Sequence, residues 1–228
     1  MVHVAGVDGC RAGWVSFRVE LSSRATVVEI IDLPVVLRNH PPELRAMAID
    51  IPIGLLERPR QCDRATRFLL GQPRGCSVFT TPCRAALRAA TYEEACATND
   101  LRAGRRISRQ AWGIVSKIRA VDDAISCAAQ KWAFEVHPEV CFWAMNGRRP
   151  MLGGKKTAAG REERLIVLRH HFPDIDAHCG RRESGVTIDH LLDAAAAAWT
   201  ALRWQSGIVE QVGTAEVDDR GLTTTIWY

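Results

Sequence analysis

Two aspartates lie where a carboxylate is unusual. Asp8 follows the apolar run 2–7 and precedes a glycine turn, and Asp50 lies inside the apolar segment 46–53. If these segments are neighbouring strands, the two carboxylates approach each other, and a cation between them keeps both ionised. Carboxylate oxygens favour Mg²⁺ or Mn²⁺ as that cation. The simpler alternatives are that Asp8 forms a turn and that Asp50 caps the turn after it.

A second acidic pair, Asp189 and Asp193, opens the helix predicted over 189–204. Residues four apart share one face of a helix, so both carboxylates can point toward one site. The structural alternative is strong, because acidic residues in a first turn favour the helix dipole and Asp189 suits an N-cap. Opposite Asp8 and Asp50, however, the pair is predicted to be the third arm of a metal site.

Further polar residues are candidates for the same site. Glu135, in the apolar strand predicted over 132–136, is either a fourth acidic member or a solvent-facing residue. Basic residues suited to contact substrate phosphate are Arg84, Lys117, Lys155 and Lys156. Their alternative role is an ordinary solvated face. The segment 153–157 is not a phosphate-binding loop of the P-loop type, because the first glycine of that motif is missing and Lys156 stands at its Ser/Thr position.

These residues need a scaffold, which the order of apolar runs supplies. Strands are predicted over 2–7, 14–19, 25–33, 46–53 and 132–136, with helices over 61–70, 92–129 (broken near Gly104), 161–171 and 189–204, and a closing hairpin over 215–228. This pattern favours an α/β fold in which one mixed five-stranded sheet is flanked by helices. We predict a single domain over 1–228, in which about 61–130 is a helical insertion or cap.

Composition narrows the class of protein only a little. The 228 residues carry a formal charge of +4, which suits a nucleic-acid ligand without demanding one. The sequence begins without a secretory signal and has no long apolar span, so we expect a cytoplasmic protein with no membrane segment. The eight cysteines are then expected to be reduced thiols.

Several short motifs together resemble the domain of unknown function 429 family, which is described as predicted RNase H-like nucleases. They are, in chain order, GVDGCRAGW (6–14), AIDIPIG (48–54), CDR (62–64), SVFTTPCR (77–84), SRQAW (108–112), KIRAVD (117–122), EVHPE (135–139), the lysines 155–156 with Gly160, and DHLLDA (189–194). The resemblance implies an RNase H-like sheet. His190 departs from the pattern, because the family often has a second aspartate there, and Thr80 stands where proline is usual.

The first motif also resembles the opening strand of the Holliday-junction resolvase group. In that group, an aspartate on the first strand, an acidic residue on the fourth strand and aspartates on the last helix bind metal. The resemblance implies the same role for Asp8, Asp50 and the pair Asp189 and Asp193. It is an analogy at the level of the superfamily.

The leading hypothesis is a metal-dependent nuclease that hydrolyses phosphodiester bonds in DNA or RNA by a two-metal mechanism. Its predicted catalytic residues are Asp8, Asp50, Glu135, Asp189 and Asp193, and its cofactor is Mg²⁺ or Mn²⁺. One alternative is an ATP-using phosphotransferase of the sugar-kinase and actin type, although such proteins normally have two related domains. The other is a non-catalytic RNase H-like binding module, for which His190 leaves room. Nucleic acid is the expected partner, and a homodimer is left open.

Overall fold

The computed structural model describes residues 1–181 and 183–228. Its strands are β1 (His3–Cys10), β2 (Gly13–Glu20), β3 (Thr26–Ile31), β4 (Leu44–Asp50), β5 (Ala133–Glu135), β6 (Gln211–Val217) and β7 (Thr223–Trp227). The first five form one sheet in the order β3-β2-β1-β4-β5, in which β1 runs antiparallel to β2 and parallel to β4. The predicted fold class, an α/β protein with a mixed five-stranded sheet, is therefore confirmed.

Helices pack on this sheet and connect its strands. They are α1 (Leu33–Asn39), α2 (Gln61–Arg74), α3 (Tyr92–Ala103), α4 (Arg109–Gly113), α5 (Val115–Ala124), α6 (Pro138–Met145), α7 (Ala158–Arg169), α8 (Ile175–Gly180) and α9 (Ile188–Gln205). Helices α2 to α5 lie between β4 and β5 in the chain, and the proposal that this segment is an insertion or cap stays a prediction. Within the described ranges, no helix combines the length and the apolar character needed to cross a bilayer.

Strand β4 is buried on both faces of the sheet, which explains its continuous apolar run. Side chains alternate between the faces of a strand. Accordingly, Ala46 and Ala48 join the core beneath α9, whereas Met47 and Ile49 join the core that contains residues of α1 and α5. A strand that serves two cores has no solvent-facing side, so a polar residue at its end stands out from its surroundings.

Helix α9 lies unusually close to β1. A Cβ atom at Gly6 would lie 2.0 Å from the backbone nitrogen of Ala198 and 2.1 Å from the carbonyl oxygen of Ala194. The small residues on both elements therefore let the helix backbone rest directly on the strand. This contact fixes where the N-terminal part of α9, which carries Asp193, lies over the sheet.

Helices α1 and α6 are elements that the sequence pattern does not predict. The strand predicted over 25–33 ends at Ile31, because Asp32 accepts a hydrogen bond from the backbone nitrogen of Val35 and caps α1. Pro138 follows the strand predicted over 132–136 and occupies the first turn of α6, where its missing N–H costs nothing. The predicted closing hairpin exists as β6 and β7 and joins the main sheet through a bridge between Val136 and Trp227.

Candidate metal centre

Three aspartates converge at the carboxyl end of the parallel strands. Asp8 and Asp50 are direct partners in the register of β1 and β4, so their side chains leave the sheet side by side. Asp193 reaches the same point from the second turn of α9. One carboxylate oxygen from each residue lies within 4.8 Å of the others. Among the described residues, this is the group of carboxylates whose spacing suits a metal ion.

The electrostatics of the cluster show that its negative charge is only partly compensated. Burial, and then the neighbouring charges of Asp50 and Asp193, raise the pKa of Asp8 well above its usual range. Burial and the charge of Asp193 raise the pKa of Asp50 to about 8. Desolvation and like charge both disfavour the ionised form. The three carboxylates therefore favour any cation that enters between them.

Lys155 supplies part of that positive charge. Its Nζ lies 2.7 Å from Oδ2 of Asp193, and the aspartates raise the pKa of its ammonium group. The loop that carries the lysine is held against α7 by a glycine contact, since a Cβ at Gly160 would lie 2.1 Å from the carbonyl oxygen of Gly154. The buried guanidinium of Arg164 adds hydrogen bonds to the carbonyl oxygens of Gly153 and Gly160. The lysine therefore projects from a fixed loop.

The aspartates open onto a cavity of about 260 Å³. Lys117 also lines this cavity. Its Nζ donates to the carbonyl oxygen of Gly13 at 2.7 Å and lies 4.6 Å from the centre of the Trp14 ring. The cavity thus combines a carboxylate floor with two lysine side chains, which is an arrangement suited to a metal ion and an anionic group together.

Glu135 lines the cavity but is committed to another interaction. Its carboxylate accepts two hydrogen bonds from Arg60, at 2.7 and 2.8 Å, and one from the backbone nitrogen of Ile53 at 2.7 Å. Arg60 is 1% exposed and also pairs with Asp63 at 2.5 Å. A buried guanidinium needs these partners. The structure therefore places Glu135 in the wall of the cavity, as part of a buried ion-pair network.

Other predicted residues lie apart from the aspartate cluster. Asp189 accepts a hydrogen bond from Arg161 at 2.9 Å and is not a member of the cluster. Arg84 pairs with Asp122, Asp218 and Asp219, and so ties α5 to the turn between β6 and β7. Lys156 is exposed beside Lys155. Their roles in metal or substrate binding stay predictions.

Glu139 is a cavity residue that the sequence pattern does not single out. It lies in the first turn of α6, and its Oε1 accepts a hydrogen bond from Arg164 at 2.5 Å. Its Oε2 is buried without a hydrogen-bond partner among the described residues. Burial raises the pKa of this carboxyl group, and Arg164 opposes the rise. The signal that was available is Pro138, which marks a helix start and thereby brings Glu139 to the edge of the sheet.

Two histidines complete the lining. Burial lowers the pKa of His137 to about 4, so its ring is neutral at physiological pH, and its Nδ1 is buried without a hydrogen-bond partner among the described residues. The Nδ1 of His190 accepts a hydrogen bond from the backbone nitrogen of Thr187, which completes the capping box of α9. His190, where the resemblance noted in the sequence implies an aspartate, therefore serves the helix end while it lines the cavity.

The donor set fits a hard divalent cation. Three carboxylates supply oxygen ligands, and the raised pKa values of Asp8 and Asp50 show that the cluster is short of positive charge. Mg²⁺ and Mn²⁺ prefer such ligands. Asp8, Asp50 and Asp193 are the residues that would hold the ion.

Comparison with family models shows which protein family the chain belongs to. The family described as protein of unknown function (DUF429) matches residues 6–217, which is most of the chain. The chain belongs to this family. The match confirms the resemblance to DUF429 and carries no activity with it. Searches of curated proteins and of solved structures give no significant match. For this member of DUF429, function has to be argued from the site.

Proposed function

We propose that this protein is a metal-dependent phosphodiesterase that hydrolyses nucleic acid. The observation that carries the proposal is the convergence of Asp8, Asp50 and Asp193 on a cavity that also presents Lys117 and Lys155. Mg²⁺ or Mn²⁺ bound there would supply an activated water and charge stabilisation for the leaving oxygen. A phosphodiester is a substrate that can use both a carboxylate-held cation and nearby ammonium groups.

The protein's own residues then have distinct tasks. Lys117 is oriented by the Gly13 carbonyl and the Trp14 ring, so its charge stays at the cavity. Lys155 is placed to meet a phosphate oxygen once a cation takes over the neutralisation of Asp193. Glu139 offers a buried acceptor oxygen that can hold a proton or a water at the cavity edge. The network around Arg60 keeps the wall rigid.

The test is an assay of purified protein with Mn²⁺ on DNA, RNA and branched DNA. We expect cleavage that EDTA abolishes and that Asp8→Asn lowers by more than about 100-fold, because even partners outside the ligand shell of a metal cost 10–100-fold. Asp100→Asn in α3 is the matched control, since Asp100 is exposed and is not a member of the cluster. Cleavage by Asp8→Asn at the rate of the unaltered protein would overturn the proposal.

The cleavage assay, combined with ATP-dependent stabilisation and metal calorimetry, separates the two other classes of function. Stabilisation by ATP without cleavage would indicate a phosphotransferase, but the described residues form one five-stranded sheet and a hairpin, not two related domains. A protein that neither cleaves nor binds Mg²⁺ or Mn²⁺ in calorimetry would be a binding module. No observation in the structure favours either class over hydrolysis.

A further inference from the structure

A second cavity adjoins the carboxylate cavity and has the opposite charge. It has a volume of about 390 Å³, and its described lining contains Arg67, Arg105 and Arg106 and no carboxylate. The two cavities share Val78, Phe79 and Gln110 as a common wall. A ligand that crosses this wall therefore meets aspartates on one side and arginines on the other. We call the second cavity the arginine groove.

The backbone that carries two of these arginines is pinned in place. The buried side chain of Asn99 donates to the carbonyl oxygen of Arg105 at 2.7 Å and accepts from the backbone nitrogen of Cys83 at 2.8 Å. Two residues further on, the hydroxyl of Tyr92 donates to the carbonyl oxygen of Ile107 at 3.0 Å, and the Ile107 side chain is buried. This loop is built as part of the wall, so little backbone entropy is lost when it binds a ligand.

The guanidinium groups differ in how they are held. Arg67 is half-buried, and it donates to the carbonyl oxygen of Val78 at 2.8 Å and to the hydroxyl of Thr80 at 2.7 Å. Arg105 and Arg106 are exposed, and within the described residues neither forms a salt bridge. One arginine thus shapes the groove, and two present positive charge to whatever enters it. Arginine charge without carboxylate partners favours phosphate ligands.

We propose that the arginine groove binds the phosphates of a single nucleic-acid strand next to the phosphodiester that lies in the carboxylate cavity. This inference rests on the proposed function and names its substrate more closely. Sites for single strands combine a basic groove with aromatic side chains on which bases stack. Phe79 on the shared wall supplies the aromatic face, and Arg105 and Arg106 supply the charge. The strand continues from the aspartates across Phe79 into the groove.

The test measures binding of a fluorescent oligonucleotide of about 12 nucleotides by fluorescence anisotropy. EDTA in the buffer prevents metal-dependent cleavage, so the affinity reports on the groove. Arg105→Ala with Arg106→Ala is compared with Arg38→Ala with Arg45→Ala, which removes equal charge from exposed positions on α1 and at the start of β4. Each phosphate contact on a single strand contributes about 0.7 to the slope of log K against log salt. We expect the groove variant to lower the slope by about 1.4 and affinity by about tenfold or more, and the control to change neither.

Three results would overturn the inference. The first is an equal loss of oligonucleotide affinity in the two double variants, and the second is unchanged oligonucleotide affinity in the groove variant. The third is competition by pyrophosphate that is as effective as competition by unlabelled oligonucleotide, which would indicate a compact anion site. Failure of the proposed function looks different. If Mn²⁺-dependent cleavage is absent but the groove variant still loses binding, the strand site stands and the hydrolytic assignment falls. Intact folding of each variant is checked by its unfolding midpoint.

Discussion

The ammonium group of Lys155 lies 2.7 Å from Oδ2 of Asp193, at the point where three aspartates meet. The lysine is therefore the resident cation of the carboxylate cluster. Its side chain is 44% exposed, so solvent partly screens the interaction. Under the proposed function, a divalent ion in the cluster would replace this contact with a stronger one, and the displaced ammonium group would be placed to bind phosphate.

This relationship predicts how Lys155→Met changes metal binding. Removing a positive charge a few ångströms from the site lowers the repulsion of the incoming ion, which is worth on the order of 1–4 kcal/mol before screening. We expect Mn²⁺ to bind about tenfold more tightly by calorimetry. Lys156→Met is the matched control and should bind Mn²⁺ as the unaltered protein does. Weaker binding by Lys155→Met would show instead that the lysine is needed to position Asp193.

The raised pKa values predict an unusual dependence of stability on pH. Burial and neighbouring carboxylates raise the pKa of Asp8, and they raise that of Asp50 to about 8. An acid with a raised pKa in the folded state stabilises the fold fully below its unfolded value, near 4, and loses that contribution as pH rises through the folded value. We therefore expect the free energy of unfolding without metal to fall between about pH 4 and 8 and Mn²⁺ to restore it at the alkaline end.

The matched variant for this prediction is Asp50→Asn. It removes one of the repelling charges while it keeps the shape of the side chain, so the metal-free protein should gain stability at about pH 8 and lose stabilisation by Mn²⁺. Urea unfolding in EDTA and in Mn²⁺ measures both effects. If Asp50→Asn and the unaltered protein show the same pH profile without metal, Asp50 is not the group that titrates.

Glu135 is predicted to act on stability. Glu135→Gln leaves the guanidinium of Arg60, which is 1% exposed, without one of its two carboxylates. Breaking a buried ion pair by removing one partner costs about 3–5 kcal/mol. We expect a loss of that order in urea unfolding, with Mn²⁺ affinity retained under native conditions. Glu43→Gln, at an exposed position, is the control. Full stability combined with lost Mn²⁺ binding would make Glu135 a ligand.

Gly6 is predicted to link core packing to the site. An added Cβ would overlap the backbone of Ala194 and Ala198, so the substitution costs at least about 1–3 kcal/mol, the usual range for overpacking. Because α9 must move away from β1, Asp193 moves with it, and Gly6→Ala should weaken Mn²⁺ binding as well as stability. Gly113→Ala has open space at its Cβ and tests for a general effect of the substitution. Equal Mn²⁺ affinity in Gly6→Ala would show that α9 tolerates the methyl group.

The sequence predicted the parts of the site that depend on strand pattern. Asp8 and Asp50 interrupt apolar runs, and parallel neighbours bring such residues to one edge of the sheet. The sequence pattern could not predict the interaction partner of each side chain. Asp189 and Asp193 share a helix face, yet only Asp193 extends over the strand ends, because the contact of α9 with Gly6 sets the position of the helix. Whether a carboxylate meets an arginine depends on chain segments far apart in sequence.

The arginine partners illustrate this limit. The ion pairs are Glu135 with Arg60, Asp189 with Arg161, and one carboxylate oxygen of Glu139 with Arg164. Nothing in the local sequence around these acidic residues indicates such partners, since the chain separations are 75, 28 and 25 residues. The fold class was easier to predict, because alternating apolar runs and helical periods are local properties. Short helices such as α6 are harder to predict, because a short apolar run does not distinguish a helix from a strand.

The most direct test of a metal site at the three aspartates is a crystal of the protein soaked in Mn²⁺ and measured for anomalous scattering. We expect a Mn²⁺ peak bound by carboxylate oxygens of Asp8, Asp50 and Asp193, with Lys155 moved away from Asp193, and no peak there in Asp8→Asn. A fully occupied Mn²⁺ site elsewhere, or a cluster that keeps the Lys155 contact and holds no metal, would contradict this expectation.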